Sequence, residues 1–497
     1  MRRPSGPELV AATLGTLFFA YTITRAARIP LTHDEAFTAN VWIDRGPARV
    51  VTFDGPERAN NHLLNTLLAG ACQAVFGRFP LALRLPNLVA HAAFLVASWR
   101  LLSLVAGKGT ALAGFALLNG NPLLLELFGL ARGYGLALGF VAPALLCAVL
   151  ALEAGDIHPR AEAACYALLV CGVFAQLVVL DVFAAVAVTF AVFRLARLAR
   201  APAEGGLRRA ARESVPVVAA SLFLLGTAVP ILVRMWRAGE LYTGGTTGLW
   251  HDTVGSVVRI SLLGLPPSVV QVALGAVGIG LAALTALGAY RLARPGIGGR
   301  AFLALFSVLV VLCAAVEAQQ LFGGTKFPED RVAALFMPFV VFALAAACGS
   351  APAPFGRIAR SLLGAAGLLA LALFARRANL TRSDLWWYDA DNVHMLEDLD
   401  RLRVGRPGAF RPVALSINWV LEPSLNWYRH KQEFAFLSPV SRKGPFEAAD
   451  YAFILGQDEA EAVRRGYRVL SRYPGTGNVL LEPPPGAPST RGEGQVR

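Results

Sequence analysis

Charged residues are scarce in this chain. Only 16% of its 497 residues are Asp, Glu, Lys or Arg, and 55% are hydrophobic, whereas soluble domains carry about a quarter charged residues. The deficit is concentrated in long apolar runs, among them residues 9–21, 215–233, 269–287 and 301–316. A helix needs about 20 mostly apolar residues to cross the hydrocarbon core of a bilayer. The composition therefore predicts a polytopic membrane protein.

Cysteine is also rare and shows no functional spacing. All six cysteines lie in or beside apolar segments, so the sequence has neither a disulfide framework nor a metal-ligand pattern. Free cysteines of this kind pack as small hydrophobic side chains between helices. The six are Cys72, Cys147, Cys165, Cys171, Cys313 and Cys348.

Three common motifs are missing as well. No small-residue cleavage site follows the first apolar run, because residues 24–28 are too basic, so this run is predicted to be an uncleaved first helix. The glycine-rich residues 244–248 lack the Gly-Lys-Ser/Thr of a Walker motif and are interpreted as a loop. No repeat of solenoid period is present.

The net charge of +13 comes from 46 Lys and Arg against 33 Asp and Glu. A nucleic-acid-binding protein would gather these charges in a basic stripe on a recognisable fold, but the arginines here mostly flank apolar runs. This pattern is typical of cytoplasmic anchoring and of attraction to anionic lipid headgroups. Membrane lipids, rather than nucleic acids, are the expected partners.

The apolar runs predict a mostly α-helical transmembrane bundle of about eleven spans. They cover residues 8–28, 82–105, 110–127, 134–152, 163–180, 182–198, 215–235, 268–289, 301–318, 332–349 and 361–376. The domains expected are a transmembrane domain (1–376) with a catalytic first external loop (30–80), a small extracytoplasmic α/β domain (377–482) and a disordered tail (483–497).

Basic residues predict the orientation of the bundle. With this count, the strongest arginine clusters fall on the side of the N-terminus, which makes that side cytoplasmic. They are Arg194, Arg197, Arg200, Arg208, Arg209 and Arg212; Arg291, Arg294 and Arg300; and Arg357 and Arg360. Five arginines in or beside the first external loop oppose this rule, and a nearby phosphate site would explain them: Arg25, Arg28, Arg45, Arg49 and Arg58.

The C-terminal region has a different pattern. Residues 392–402 show helical spacing of apolar side chains, and three short strand-like runs follow, separated by turn residues, at 412–417, 451–455 and 478–481. Residues from 483 onward are rich in Pro, Gly and Ser. A small α/β domain of about 100 residues on the outer face is therefore expected.

The adjacent carboxylates Asp34 and Glu35 follow the first span. Ionisable groups at a membrane boundary are costly and are usually retained for function. Because adjacent residues do not share a face, one can act as a general base in a cleft while the other bonds to its neighbours. A helix N-cap at Thr32 or Asp34 is the structural alternative, and both interpretations can hold together.

Other polar groups lie in the remaining external segments. His62 opens a predicted surface helix over residues 63–76 and can bind phosphate or orient a carboxylate, or merely begin the helix. Arg132, between spans three and four, can donate two parallel hydrogen bonds to phosphate oxygens or form an ion pair with Glu126. Lys326 and Arg331, before span ten, can hold an anionic leaving group or form salt bridges within a solvated loop.

Taken in order, these segments resemble those of the GT-C superfamily of polytopic glycosyltransferases, in the branch of protein O-mannosyltransferases and lipid A aminoarabinose transferases. The resemblance covers residues 1–350 and rests on the order and shared sidedness of five motifs. They are His33-Asp34-Glu35-Ala36, Asn61-His62-Leu63-Leu64, Arg84-Leu85-Pro86-Asn87, Ala131-Arg132-Gly133-Tyr134 and the pair Lys326 and Arg331. Two segments depart from the family: the second lacks the usual prolines, and the last reads Glu-Asp-Arg-Val.

The resemblance implies an inverting transfer of sugar from a polyprenyl-phosphate donor to an extracytoplasmic glycan, lipid or protein. The implied location is the bacterial inner membrane, with the active site facing the periplasm or cell exterior. Implied roles are catalysis by Asp34 as base with support from Glu35, donor-phosphate binding by Arg132, Lys326 and Arg331, and substrate binding by His33, Asn61, His62 and Tyr134. Some branches use a divalent metal, for which this sequence indicates no site.

Other functions stay open at this point. An oligosaccharide ligase or polymerase would need a longer acceptor groove. A transporter of lipid-linked sugars would place ionisable groups near the bilayer midplane, where these spans are nearly bare of charge. A membrane scaffold would leave Asp34, Arg132 and Lys326 far apart, whereas a shared external site would bring them together.

Overall fold

The computed structural model describes residues 4–153, 157–200, 206–241, 244–293, 299–351, 355–404 and 411–485. The predicted mostly α-helical fold is confirmed. The α-helices, in chain order, are α1 (Gly6–Arg28), α2 (His33–Phe37), α3 (Pro47–Thr52), α4 (Leu63–Phe76), α5 (Pro80–Ala106), α6 (Lys108–Asn119), α7 (Pro122–Phe128), α8 (Gly133–Glu153), α9 (Pro159–Ala175), α10 (Val179–Arg200), α11 (Gly206–Arg237), α12 (Gly255–Ser261), α13 (Pro267–Ala293), α14 (Arg300–Gly323), α15 (Asp330–Ala333), α16 (Phe336–Ser350), α17 (Phe355–Arg377), α18 (Asn392–Val404), α19 (Glu422–Tyr428) and α20 (Glu459–Arg464).

Shorter elements complete the fold. Four strands are present in the described C-terminal region: β1 (Leu415–Ile417), β2 (Tyr451–Ile454), β3 (Arg468–Arg472) and β4 (Val479–Glu482). π-Helical stretches extend α2 and precede α12, at Thr38–Ile43 and Leu249–Val254. Single turns of 3₁₀ helix occur at Arg58–Asn60, Trp387–Asp389, Trp419–Leu421, Gln432–Phe434 and Gly456–Asp458.

Nine helices of the described chain are long and apolar enough to cross a membrane, so this is a multi-pass membrane protein. Burial within the protein separates central helices from lipid-facing ones. In the most apolar part of α8, 72% of the residues are buried inside the protein, against 11% in α11 and in α13. Helix α8 therefore lies in the interior of the bundle, while α11 and α13 present most of their apolar surface outward.

The count differs from the expected eleven spans at two places. The run 110–127 is broken into α6 and α7, which meet at a bend of 66° and form one further span at most. The break follows from local chemistry: the side chain of Asn121 accepts the N–H groups of Leu123 and Leu124, and Pro122 is the first residue of α7. The run 163–180 corresponds to α9, whose 17 residues are fewer than the about 20 of a typical span.

The chain folds into two compact units. The first consists of Met1–Ile23, Glu57–Leu68 and Arg84–Ala378, and it contains most of the membrane helices. The second consists of Thr24–Pro56, Ala69–Leu83 and Asn379–Arg497. The C-terminal region thus clusters with two short segments from early in the chain. The expected domain boundary at residue 376 stays a prediction. Of the predicted tail (483–497), the residues from 486 onward lie outside the described part of the chain.

The second unit contains a four-stranded mixed sheet in the order β1-β2-β4-β3. Strands β1 and β2 are parallel, while β4 is antiparallel to both β2 and β3. Three strands and helix α18 agree with the sequence predictions; β3 was not predicted. One face of the sheet packs Ala452, Ile454, Val479 and Leu481 into a buried cluster with Ala462 of α20. Burial of these apolar side chains stabilises the sheet.

A buried charge cluster ties α9, α10 and α11 together in the first unit. The guanidinium of Arg194 donates to Glu162 and to the backbone carbonyl of Glu213. The carboxylate of Glu213 also accepts from Arg197, and from Arg209 at 3.0 Å. Arg194 and Glu162 are almost completely buried. Because an uncompensated charge in this position is costly, each member of the pair needs the other.

Replacement of Glu162 by Ala should strongly destabilise the bundle. The change leaves the Arg194 charge buried without its main partner, which costs about 3–5 kcal/mol in comparable buried pairs. Thermal unfolding of the purified protein in detergent would measure the loss. Lys108→Ala is the control, because Lys108 pairs with Glu8 at an exposed position and should change the midpoint little. Equal shifts in both variants would contradict a special role for the buried cluster.

Candidate functional site

The acidic pair lies at the start of α2, in the second unit. Thr32 is the N-cap residue, and its backbone N–H and its hydroxyl both donate to Oε2 of Glu35 at 3.0 Å. Glu35 is only 1% exposed, whereas Asp34 is partly exposed. The predicted cap at Thr32 is confirmed, and the carboxylate that serves it is Glu35. The chemistry available to solvent at this motif is therefore that of Asp34.

His33 is held by groups from the C-terminal part of the chain. Its ring Nδ1 lies 2.5 Å from the carbonyl oxygen of Val420, which requires the hydrogen to be on Nδ1 for a donated bond. The ring also packs edge-on against Trp419, with centroids 5.7 Å apart. Its backbone N–H donates to Oδ2 of Asp389 at 2.6 Å. His33, expected to bind substrate, thus orients the chain around Asp34 in this structure.

Asp389 is as deeply buried as Glu35, at 1% exposure. Besides the His33 N–H, it accepts the hydroxyl of Ser424 at 2.6 Å and the amide of Asn392 at 2.9 Å, both on Oδ1. Burial raises the pKa of Asp389 to about 8; the three hydrogen bonds oppose the rise, and the negative charge of Asp34 adds to it. The group is thus largely protonated at neutral pH.

A second cluster of predicted residues lies in the first unit. The rings of His62 and Tyr134 meet edge to face, with centroids 5.4 Å apart. The hydroxyl of Tyr134 accepts a hydrogen bond from Nε of Arg331 at 3.3 Å. Both His62 and Tyr134 are buried. Three residues from three separate motifs of the sequence therefore meet in one place.

Arg132 belongs to the same region, two residues before Tyr134. It is buried, and its Nη1 donates to the side-chain oxygen of Asn60. The turn Arg132-Gly133-Tyr134 packs directly against His62. A Cβ at Gly133 would lie 2.0 Å from the carbonyl oxygen of Ala175 and 2.8 Å from the His62 side chain. Only glycine fits at this position without a displacement of the backbone.

Two buried asparagines connect this turn to neighbouring helices through hydrogen bonds. The amide of Asn65 donates to the carbonyl of Ala131 at 3.1 Å, and the amide of Asn87 donates to Asn65 at 2.7 Å. Both side chains are fully buried. Buried amides are retained only when they are hydrogen bonded. The pair links α4 and α5 to the residue that precedes Arg132. Asn61, also buried, lies four residues before Asn65.

Lys326 is exposed, in contrast to Arg331. Its neighbour Phe327 forms two backbone hydrogen bonds with Gly245, of 2.9 and 3.0 Å, so the glycine-rich loop is fixed to this segment. Asp330, which precedes Arg331, has a left-handed backbone with φ of 52°, and its N–H donates to the Ser256 hydroxyl at 2.9 Å. A non-glycine residue in this region is strained and is usually held there by its surroundings.

The predicted residues are thus divided between the two units. His33, Asp34 and Glu35 belong to the second unit, and the others belong to the first: Asn61, His62, Arg132, Tyr134, Lys326 and Arg331. Within the described residues, no group of three His, Cys, Asp or Glu side chains is arranged to bind a metal ion. All six cysteines are free, as predicted.

Sequence reasoning missed Asp389, Asn392 and Ser424. No local signal marks them, since Asp389 is 356 positions from its partner His33. The pairing of Asn60 with Arg132 was not expected either. A buried polar residue of this kind is recognised only when its distant partner is known.

Comparison with known proteins gives distant structural likenesses only. No family model matches the sequence, and no curated protein sequence matches it. Two solved structures of ArnT from Cupriavidus metallidurans are similar at 12% identity: the form bound to undecaprenyl phosphate has a TM-score of 0.49 and covers 97% of this chain and 98% of that chain, and the apo form has a TM-score of 0.38 and covers 95% and 97%.

The third likeness is to the Archaeoglobus fulgidus oligosaccharyltransferase in complex with Zn and sulfate. It has 14% identity and a TM-score of 0.39, and covers 95% of this chain and 73% of that chain. These TM-scores are too low to support a conclusion about the fold or activity of this chain. The assignment of function therefore depends on the residues and their geometry.

Gly133→Ala should disturb the Arg132 turn. The added methyl would overlap the Ala175 carbonyl and His62, so the turn must move, and core overpacking costs about 1–3 kcal/mol. Thermal unfolding in detergent would measure it. Gly226→Ala is the matched control, because nothing lies within 4 Å of a Cβ there. An unchanged midpoint in Gly133→Ala would contradict the tight packing.

The raised pKa of Asp389 predicts a pH-dependent stability. The folded state binds this proton more tightly than the unfolded chain, so the stabilisation is complete below the ordinary pKa of about 4 and is lost as the pH rises toward about 8. Thermal unfolding between these limits should show the wild-type midpoint falling with pH more steeply than that of Asp389→Asn, which cannot titrate. Parallel profiles for the two proteins would contradict this assignment.

Proposed function

We propose that this protein is a glycosyltransferase of the bacterial inner membrane that moves a sugar from a polyprenyl-phosphate donor to an extracytoplasmic acceptor. The observation that carries the proposal is that Gly133 and Tyr134 pack against His62 while Arg331 is hydrogen bonded to the Tyr134 hydroxyl, with Arg132 next to Gly133 in sequence. Two guanidinium groups in this part of the first unit are suited to binding an anion. A lipid-linked phosphate is such an anion.

The first unit would supply the phosphate-binding residues. Arg132 and Arg331 donate to the side chains of Asn60 and Tyr134, and these contacts help to orient each guanidinium. Guanidinium groups are suited to phosphate oxygens because their N–H donors form a planar fork. The exposed Lys326 would add a more mobile positive charge. Asn61, His62 and Tyr134 would contact the donor.

Asp34 would act as the base. Its neighbour Glu35 is committed to the cap of α2, so Glu35 supports the motif structurally. In the proposed reaction, Asp34 takes the proton of an acceptor hydroxyl or amine, and the acceptor atom attacks the anomeric carbon from the face opposite the phosphate. The bond between that carbon and the phosphate oxygen breaks, and the leaving phosphate keeps the electron pair. The configuration at the sugar carbon is inverted.

The arginines would stabilise the charge that grows on the leaving phosphate, an electrostatic contribution made largest in the transition state. No step in this scheme requires a metal ion, and a divalent cation would act only as an additional partner of the phosphate. The acceptor is extracytoplasmic because the polar segments are predicted to face outward. The C-terminal region 377–482 is proposed to lie on the same side of the membrane.

Asp34→Asn should nearly abolish sugar transfer in a protein that still folds. The change is close to isosteric but removes both the charge and the ability to take a proton, which predicts a loss of about 10²–10⁴ in rate. Asp54→Asn, an exposed carboxylate in the same loop, is the matched control and should retain the wild-type rate.

The assay would use purified protein in nanodiscs, a panel of radiolabelled undecaprenyl-phosphate monosaccharides, and an envelope extract of the source cells as acceptor. Release of undecaprenyl phosphate and labelling of the extract are both measured. Near-equal rates for wild type and Asp34→Asn would remove the catalytic role and leave Asp34 as a helix-end residue, since Asn and Asp cap helices about equally well.

A further inference from the structure

The short helix that carries Asp34 cannot set its own orientation. Helix α2 has five residues, and isolated helices shorter than about 12 residues are marginal in water. Its position must therefore come from contacts outside the helix. In the second unit these contacts come from α19, which packs on α2, and from side chains that accept the N–H groups at its start.

Two of these N–H groups lie just before Asp34 in sequence. The N–H of Leu31 donates to the hydroxyl of Tyr428 at 2.9 Å, and the N–H of His33 donates to Asp389 at 2.6 Å. The first N–H groups of a helix have no partner within the helix, and a negative or polar oxygen at this end also interacts favourably with the helix dipole. Asp389 accepts from the peptide group between Thr32 and His33, one residue before Asp34.

Asp389 is itself fixed on its other side. Its Oδ1 accepts from Ser424 and Asn392, and the amide of Asn392 also donates to Ser424 at 2.7 Å. All three side chains are buried to 1% exposure or less. A network of buried hydrogen bonds is rigid, because the loss of a member leaves further polar groups without partners. Helices α18 and α19 thus hold the carboxyl group in one place.

We propose that Asp389 is a positioning residue that fixes the direction of the Asp34 side chain through the His33 N–H. This inference rests on the proposed function, since it assigns to the C-terminal region a share in that reaction. Burial raises the pKa of Asp389, and Oδ2 of the carboxyl accepts the His33 N–H. The role assigned to the group is to orient the base.

The test compares four variants in the sugar-transfer assay described above. Asp389→Ala removes both oxygens, Asp389→Asn restores an acceptor for His33, and Ser424→Ala is a milder change for the case that Asp389→Ala fails to fold. Asn426→Ala is the matched control. It lies on α19 like Ser424, and it loses hydrogen bonds to both backbone groups of Val440, which lies outside α2.

Asp389→Ala should lower kcat by about 10- to 100-fold, because displacement of a reacting group by about 1 Å costs up to this much, while KM for the donor stays close to that of wild type. Asp389→Asn should recover most of the lost kcat, and Ser424→Ala should lose an intermediate amount. Asn426→Ala should keep the wild-type kcat. Hydrogen exchange measured by mass spectrometry should accelerate over residues 31–37 in Asp389→Ala and stay unchanged there in Asn426→Ala.

Separate outcomes would overturn the two proposals. If Asp34→Asn is inactive while folded Asp389→Ala turns over at the wild-type rate, the positioning role fails and the proposed function stands. Equal losses of kcat in Asp389→Ala and Asn426→Ala would also overturn the positioning role, because they would indicate general destabilisation. If wild type and Asp34→Asn behave alike on every donor, the proposed function fails. An unchanged rate of hydrogen exchange over residues 31–37 in Asp389→Ala would by itself contradict the structural basis of the inference.

Discussion

The hydrogen bond from the His33 N–H to Asp389 is the interaction on which the second unit depends most. It joins residues 356 positions apart and connects an early segment of the chain to helices α18 and α19. A carboxyl group completely removed from water is expensive unless its oxygens are hydrogen bonded. The three donors around Asp389 meet this requirement, and they fix the start of α2 as a consequence.

In the first unit, close packing around helix α8 fixes the positions of the candidate residues. Helix α8 is largely buried, and its first turns contain glycines at points where other elements approach closely. A Cβ at Gly133 would overlap the Ala175 carbonyl, one at Gly135 the Leu127 carbonyl, and one at Gly139 the backbone of Ala90. Small residues allow such approaches between membrane helices. Tyr134, which follows Gly133, is thereby brought against His62.

Much of the architecture could be predicted from the sequence because apolar length and periodicity act locally. The surface helix over residues 63–76 appears as α4 with the same limits, and helix α18 begins at Asn392 as predicted. The predictions were wrong where two local sequence patterns favour different structures. The Asn121-Pro122 pair divides an apolar run into two helices, and β3 was missed because its outer residues are exposed and its charged ends do not resemble a buried strand.

For the candidate site, the sequence alone determined the types of residue and their motifs: an acidic pair after the first span, a histidine before a surface helix, and arginines at later helix ends. Their chemistry follows from side-chain identity and needs no fold. Only the tertiary structure decided that Arg331 meets Tyr134 and that Asp389 supports His33. These outcomes depend on burial and on partners between 197 and 356 positions away, and a hydrogen bond across such a separation leaves no pattern in the neighbouring sequence.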